Sequence, residues 1–352
     1  MKSSVMKNFV PWLICVVLLA ACTTASPAAS PTTQPTQPIV NTPTRPATQP
    51  PTATTLPTET PLPTNTQAPT QTALPALPGG TIVFGSNRNG DYINIFLMSL
   101  PDRSVTQLTD NESTTFPGPF SPDGTKLLFT GFGLTHSYVG VMNADGSNPV
   151  DLSNRPDVDE GFPCWSPDGT QIAFTSRMSG NNDIYIMDAD GSNVRQITTN
   201  PTDDFAPAWS PDGTQIAFVS DRNNPTGVYN LYLMNVDGSN VIRLTNGNEI
   251  DYGPAWSPDG TKIAFRADVD GNSDIYVINA DGSGKVNLTN DPSSDWSPAW
   301  SPDGSLIAFQ TDRDGNWEIY VMKADGSNPI NLTENPADDQ MPYWKPIASG
   351  IN

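Results

Sequence analysis

Five acidic residues occupy one repeated place in this chain. Glu160, Asp204, Asp251, Asp295 and Asp339 each lie five residues before a tryptophan, at Trp165, Trp209, Trp256, Trp300 and Trp344. The matching position before Phe120 is Thr115. Carboxylates gathered at one place would raise one another's pKa until a cation or a basic group joined them. Hard oxygen ligands of this kind suit Ca²⁺ or a peptide carrying Lys or Arg. The plainer reading is that each acid caps the turn entering its own strand. Phe205, Tyr252 and Trp296 directly follow three of these acids and differ in kind from copy to copy. As exposed side chains they would anchor a partner; otherwise they pack between repeats.

Other chemistry lacks parts. There is one histidine, His136, and no G-x-S-x-G elbow for a nucleophilic serine. A histidine-rich metal site is excluded by count. No catalytic residue is singled out, although paired carboxylates for glycoside cleavage remain an alternative because acids are plentiful. The Asp-rich segments at 268–274 and 312–318 lack the EF-hand spacing and read as hairpin turns.

The acids are positioned by a repeat. An aromatic residue followed by Ser-Pro-Asp-Gly occurs at Phe120, Trp165, Trp209, Trp256 and Trp300, and a degenerate copy ends at Trp344, with intervals of 44 to 47 residues. A period of this length with aromatic and Gly punctuation predicts a β-propeller. Four strand signals recur in order. The approach to the aromatic is followed by Ile-Ala-Phe (Ile172–Phe174, Ile216–Phe218), then by Ile-Tyr-Ile-Met or its like (Ile184–Met187), then by a short strand ending in Leu-Thr. Ser-Pro-Asp-Gly places Pro at the second position of a type I turn and Gly where φ turns positive, so the first two strands form a hairpin. Asp-Gly pairs such as Asp190-Gly191 turn the chain between the third and fourth.

Six second-strand signals begin with Ile82–Phe84, and six first-strand signals end with Gln340–Trp344. The count is displaced by one strand. The C-terminal strand therefore completes the N-terminal blade, which closes the ring and removes unpaired edges. The expected fold is all-β, a six-bladed propeller of four-stranded antiparallel blades over residues 79–346, with a short tail at 347–352. Within it the second blade departs most, through Gly131–Tyr138, and the fourth carries extra residues near Asn224.

The strings Trp209–Phe218 and Asp183–Asp188 resemble the propeller repeats of the TolB family, which are related to those of tricorn and prolyl-oligopeptidase-type propellers. The resemblance spans about residues 79–346. It implies that the first strand of each blade is innermost, so that the five acids would ring one mouth of a central tunnel.

What precedes the repeats reads as targeting and spacing. Lys2 and Lys7 flank an apolar run from Phe9 to Ala21, too short to span a bilayer comfortably but suited to a signal peptide over residues 1–21. Leu19-Ala20-Ala21-Cys22 looks like a bacterial lipobox, which implies cleavage before Cys22 and lipidation of its thiol. Residues 23–78 hold 14 Pro and 17 Thr among 56 positions, a composition that cannot offset its ordering entropy by burial. Together with Cys22 it forms an expected disordered linker, 22–78. Cys164 is then the one thiol of the folded part, which excludes an internal disulfide there.

The formal net charge of −20 would repel nucleic acid and anionic lipid headgroups. The combined expectation is a monomeric, lipid-anchored, extracytoplasmic envelope protein that binds a protein or peptide partner at the tunnel mouth without catalysis. An envelope hydrolase or lyase with carboxylate chemistry, acting on glycans or peptides, is the rival. On this reading, reversing the charges of Asp204 and Asp295 weakens capture and leaves the fold intact.

Overall fold

A computed structural model describes residues 79–347, apart from Thr226. The expected signal peptide, the lipidation site at Cys22 and the whole of the linker lie outside the described residues. So does most of the C-terminal tail.

Six four-stranded antiparallel sheets account for every strand among the described residues, which contain no helix. We number them as blades one to six and call their strands inner, second, third and outer. The inner strands are Thr115–Phe120, Glu160–Trp165, Asp204–Trp209, Ile250–Trp256 and Asp295–Trp300 in blades two to six. Blade one takes its inner strand from the far end of the chain, Asp339–Trp344, which pairs antiparallel with Thr81–Ser86. Each inner strand touches the inner strands of the blades before and after it, around the full circuit. The ring is thus closed by the C-terminal strand, and the first strand is innermost.

Local chemistry explains the hairpins. In each Ser-Pro-Asp-Gly turn the Gly N–H donates to the Ser carbonyl, as from Gly169 to Ser166 at 2.9 Å. That Gly has φ of +71°, a conformation costly for any residue with a Cβ. The Asp carboxylate accepts from the Ser hydroxyl and from the Thr N–H two residues on, at 2.6 and 3.0 Å for Asp168. These hydrogen bonds hold the turn acids Asp123, Asp168, Asp212, Asp259 and Asp303 below the ordinary carboxylate pKa.

The core is divided among the six junctions between blades, with one apolar cluster in each. The second-strand phenylalanines Phe84, Phe174, Phe218, Phe265 and Phe309 are fully buried. Each stacks on an aromatic of the third strand, with ring centroids 5.8 to 6.0 Å apart. Burying one such ring contributes roughly 2–3 kcal/mol. Blade two departs here: the third-strand aromatic is replaced by Gly140, and a Cβ there would meet the Phe129 ring at 2.2 Å. The ring of Phe129 fills that place, with Tyr138 against its edge.

Candidate functional site

The inner strands bring the five acids to one end of the ring, opposite the Ser-Pro-Asp-Gly turns. Each begins its inner strand, or stands second in it for Asp251, and pairs with the end of the second strand, as Asp204 with Ser220 and Asp339 with Ser86. The expectation that they present carboxylates to a ligand fails on burial. Glu160, Asp204, Asp251, Asp295 and Asp339 are all 0% exposed.

Their charge is met inside the protein. Arg222 donates to Asp204 at 2.7 Å, Arg313 to Asp295 at 3.0 Å, and Arg88 to both oxygens of Asp339 at 2.9 and 2.8 Å. These arginines come from one repeat position, two residues beyond Ser220, Thr311 and Ser86. Their guanidinium groups also lie 5.0 to 5.6 Å from the stacked ring pair of their own blade. Glu160 uses Arg155 instead, at 3.1 Å, and accepts from Ser176. Blade two has Thr115 in place of the acid and Gly133 in place of the arginine, so both members of the pair are missing together.

Burial pushes the carboxyls of Asp204, Asp251, Asp295 and Asp339 above their ordinary pKa, with hydrogen bonds and nearby cations opposing the shift. Both readings made from sequence are therefore incomplete. The acids find their partners inside the protein, in arginines for four of them and also in the preceding loop or blade: Asn200 donates to Asp204, and Thr245 and Asn230 donate to Asp251. The arginine two residues past Ser86, Ser220 and Thr311 was the available signal, in a chain with only 17 Lys and Arg. Among the described residues no group of three or more His, Cys, Asp or Glu is arranged to hold a metal ion.

The aromatics also differ from the expectation of exposed side chains. Phe205 and Trp296 are each 6% exposed, while Tyr252 is half-buried. Phe205 is the centre of a patch across three blades, with ring centroids 6.2 Å from Phe162, 4.9 Å from Tyr229 and 5.5 Å from Tyr252. Phe162 and Tyr229 keep part of their surface open, as Tyr252 does. Sequence reasoning missed both. Phe162 lies at the third position of its inner strand, where a β-bulge interrupts the register with φ of +51°. The same bulge turns Ala206, Gly253, Ser297 and Met341 into positive φ ahead of a proline. Pro117 holds that position in blade two, where its ring fixes φ negative.

Tyr343 and Cys164 each hold the fifth position of an inner strand. Tyr343 of blade one interacts with Cys164 of blade three, two blades away, and its burial pushes the phenol to about 12. The Cys164 thiol is free and is likewise pushed up by burial to about 12. At neutral pH this part-exposed thiol is protonated. His136 lies on the exposed hairpin of blade two, with its ring against Thr135 and 6.5 Å from Tyr138.

The family model described as the TolB beta propeller domain matches residues 152–252, 223–290 and 246–351. Among solved structures, TolB from Acinetobacter baumannii is 22% identical with a TM-score of 0.65, covering 76% of this chain and 67% of that one. A protein assigned to TolB from Agrobacterium tumefaciens is 22% identical with a TM-score of 0.59, covering 77% of this chain and 100% of that one. A chain of the Nidogen/Laminin complex, 11% identical, reaches a TM-score of 0.60 over 76% of this chain and 99% of that one. At these identities the likeness shows the propeller fold.

Proposed function

The chain belongs to the TolB β-propeller domain family, and from that premise we propose that it is a non-catalytic, lipid-anchored binding protein of the cell envelope. Its partner is a protein or peptide, held at the mouth of the propeller on aromatic rather than acidic side chains. The observation that carries this reading is the continuous patch of Phe162, Phe205, Tyr229 and Tyr252, three of whose rings are part-exposed where the five carboxylates are sealed. Tyr supplies large contact area with few torsions to freeze, which suits a recognition surface. Burial of the five acids also removes them as accessible carboxylates for glycan or peptide cleavage.

The described chain enters at the turn end of the ring, since Ile82 pairs with Trp344 while Ser86 pairs with Asp339. The aromatic patch lies at the other end of the ring.

The test is capture from an envelope extract by the full chain, followed by identification of what co-purifies. Tyr252→Ala, alone and with Phe162→Ala, is expected to reduce capture at least tenfold while the propeller stays folded by circular dichroism. Undiminished capture by the folded double variant would remove the aromatic mouth as the binding surface.

A further inference from the structure

The fifth blade carries a cation that no other blade has. Its second strand reads Phe265-Arg266-Ala267, where the corresponding residue after the phenylalanine is Gly85, Thr130, Thr175, Val219 or Gln310 in the others. Two of those side chains have a known task. Thr175 Oγ1 accepts from the backbone N–H of Ala206 at 3.1 Å, and Gln310 Oε1 accepts from that of Met341 at 2.8 Å. Each thereby supplies an acceptor to the third residue of the next inner strand. Between blades five and six that residue is Ser297, and Arg266 can only donate.

Arg266 is 4% exposed, with its guanidinium carbon 4.5 Å from the Tyr252 ring centroid and 4.4 Å from that of Trp296. One end of the guanidinium is met: Nη2 donates to Asp268 at 2.8 Å. Its Nε has no hydrogen-bond partner, and neither does Nε1 of Trp296, itself 6% exposed. Arg266 Nε and Trp296 Nε1, buried N–H donors from adjacent blades, are thus both left unmet at a junction where the repeat position offers no acceptor. Unmet buried donors are costly, and such a pair marks the place of an absent acceptor. Tyr252, Gly253 and Ser297 border this place and are part-exposed, which gives it an approach from the mouth.

We propose that the junction of blades five and six is a carboxylate subsite, in which Arg266 Nε and Trp296 Nε1 donate to an acidic side chain or a C-terminal carboxylate of the bound peptide. This deepens the binding function above and rests on it. It reverses the sign of the ligand expected from sequence, because the group recognised is an anion rather than Ca²⁺ or a basic side chain. Arg suits the role through its fixed donor fork and its stacking on aromatic faces.

The experiment uses the full chain with ¹⁵N-labelled arginine and tryptophan. The Nε–H signal of Arg266 is assigned by its loss in Arg266→Lys, and the Trp296 indole N–H by its loss in Trp296→Phe. The probe is N-acetyl-L-glutamate α-methylamide, with a single side-chain carboxylate, and N-acetyl-L-glutamine α-methylamide is its neutral twin. The glutamate probe is expected to move both signals along one saturation curve, while the glutamine probe moves neither at the same concentrations. Arg266→Gln, checked for folding, should weaken the glutamate response of the Trp296 signal at least tenfold. Two stationary signals, or equal shifts with both probes, would overturn the subsite and leave the unmet donors to water. The outcome is separable from that of the capture experiment. Loss of capture in the Tyr252 variant with no glutamate response leaves the binding function standing without this subsite.

Discussion

The fourth and fifth blades bury the same carboxylate at the same register and neutralise it by different means. In the fourth, Arg222 bonds Asp204 and lies over Phe218 and Tyr232, so one side chain serves the charge and the aromatic stack together. In the fifth, the corresponding residue is Val269, and the cation over Phe265 and Tyr276 is Lys285, which bonds Glu249 instead. Asp251 is left with the hydroxyl of Thr245 and the amide of Asn230 as its hydrogen-bond donors. The guanidinium of this blade has moved to the junction with blade six. Its second and third strands also run to eight residues, against six in the fourth. In a repeat array each unit contacts mainly its neighbours, so one blade can depart while the others hold the ring. The departure marks the place where function can differ.

Breaking the fourth blade's pair should have the largest effect. Arg222→Ala leaves Asp204 buried without its cation, an arrangement that costs about 3–5 kcal/mol. Urea unfolding followed by tryptophan fluorescence should show the loss, and a change under 1 kcal/mol would contradict the pairing. By the same argument, reversing Asp204 and Asp295 unfolds the ring rather than probing a ligand site.

Arg266→Met should be milder, at about 1–2 kcal/mol, because it removes a desolvated cation–π stack while its partner Asp268 can return to water. The side chain of Asp268 is 25% exposed, against 0% for Asp204. If the two arginine variants lose equal stability by urea unfolding, the distinction between the blades fails.

A smaller contrast lies in the tryptophans. Trp256 Nε1 donates to the carbonyl of Ala208 at 3.1 Å, whereas Trp209 Nε1 has no hydrogen-bond partner. Trp256→Phe should therefore cost about 1 kcal/mol more than Trp209→Phe in the same unfolding assay.

The finest test is pH dependence, where two classes of acid act in opposite directions. The buried carboxyls are raised above their ordinary value of 3.8, so they stabilise fully below it and lose that contribution as pH rises through the raised values. The turn acids are lowered, so their contribution is present above 3.8 and is lost as pH falls. Asp251, with no arginine bonded to it, isolates the first class. Asp251→Asn should raise the urea midpoint modestly at pH 7, and the gain should vanish below about pH 4, where the aspartate itself is protonated. A gain that persists in acid would show that the shift at Asp251 is not its cause.

Much of the fold was legible because it is written in local chemistry. Ser-Pro-Asp-Gly forces a turn at each copy, the Ile-Ala-Phe and Ile-Tyr-Ile-Met strings alternate faces of a sheet covered on both sides, and the displaced count of strand signals required closure by Gln340–Trp344. The Leu-Thr signal was read as a strand end, and its further role was not visible. The hydroxyl of Thr198 accepts from the N–H of Ile184 and donates to Asp183, locking the third strand. Phe162 was passed over because its place comes from a bulge in its own inner strand and from a ring neighbour, Phe205, about one repeat away.

The order of the strands, the six blades and the closing strand follow from the amino-acid sequence alone, because turn chemistry and side-chain period act over a few residues. Whether Glu160, Asp204, Asp251, Asp295 and Asp339 face water or arginine was decided by the assembled ring, since burial and ion pairing depend on atoms that distant segments bring together. The same holds for Arg266, a strand residue like its repeat partners until Tyr252 and Trp296 close on either side of it.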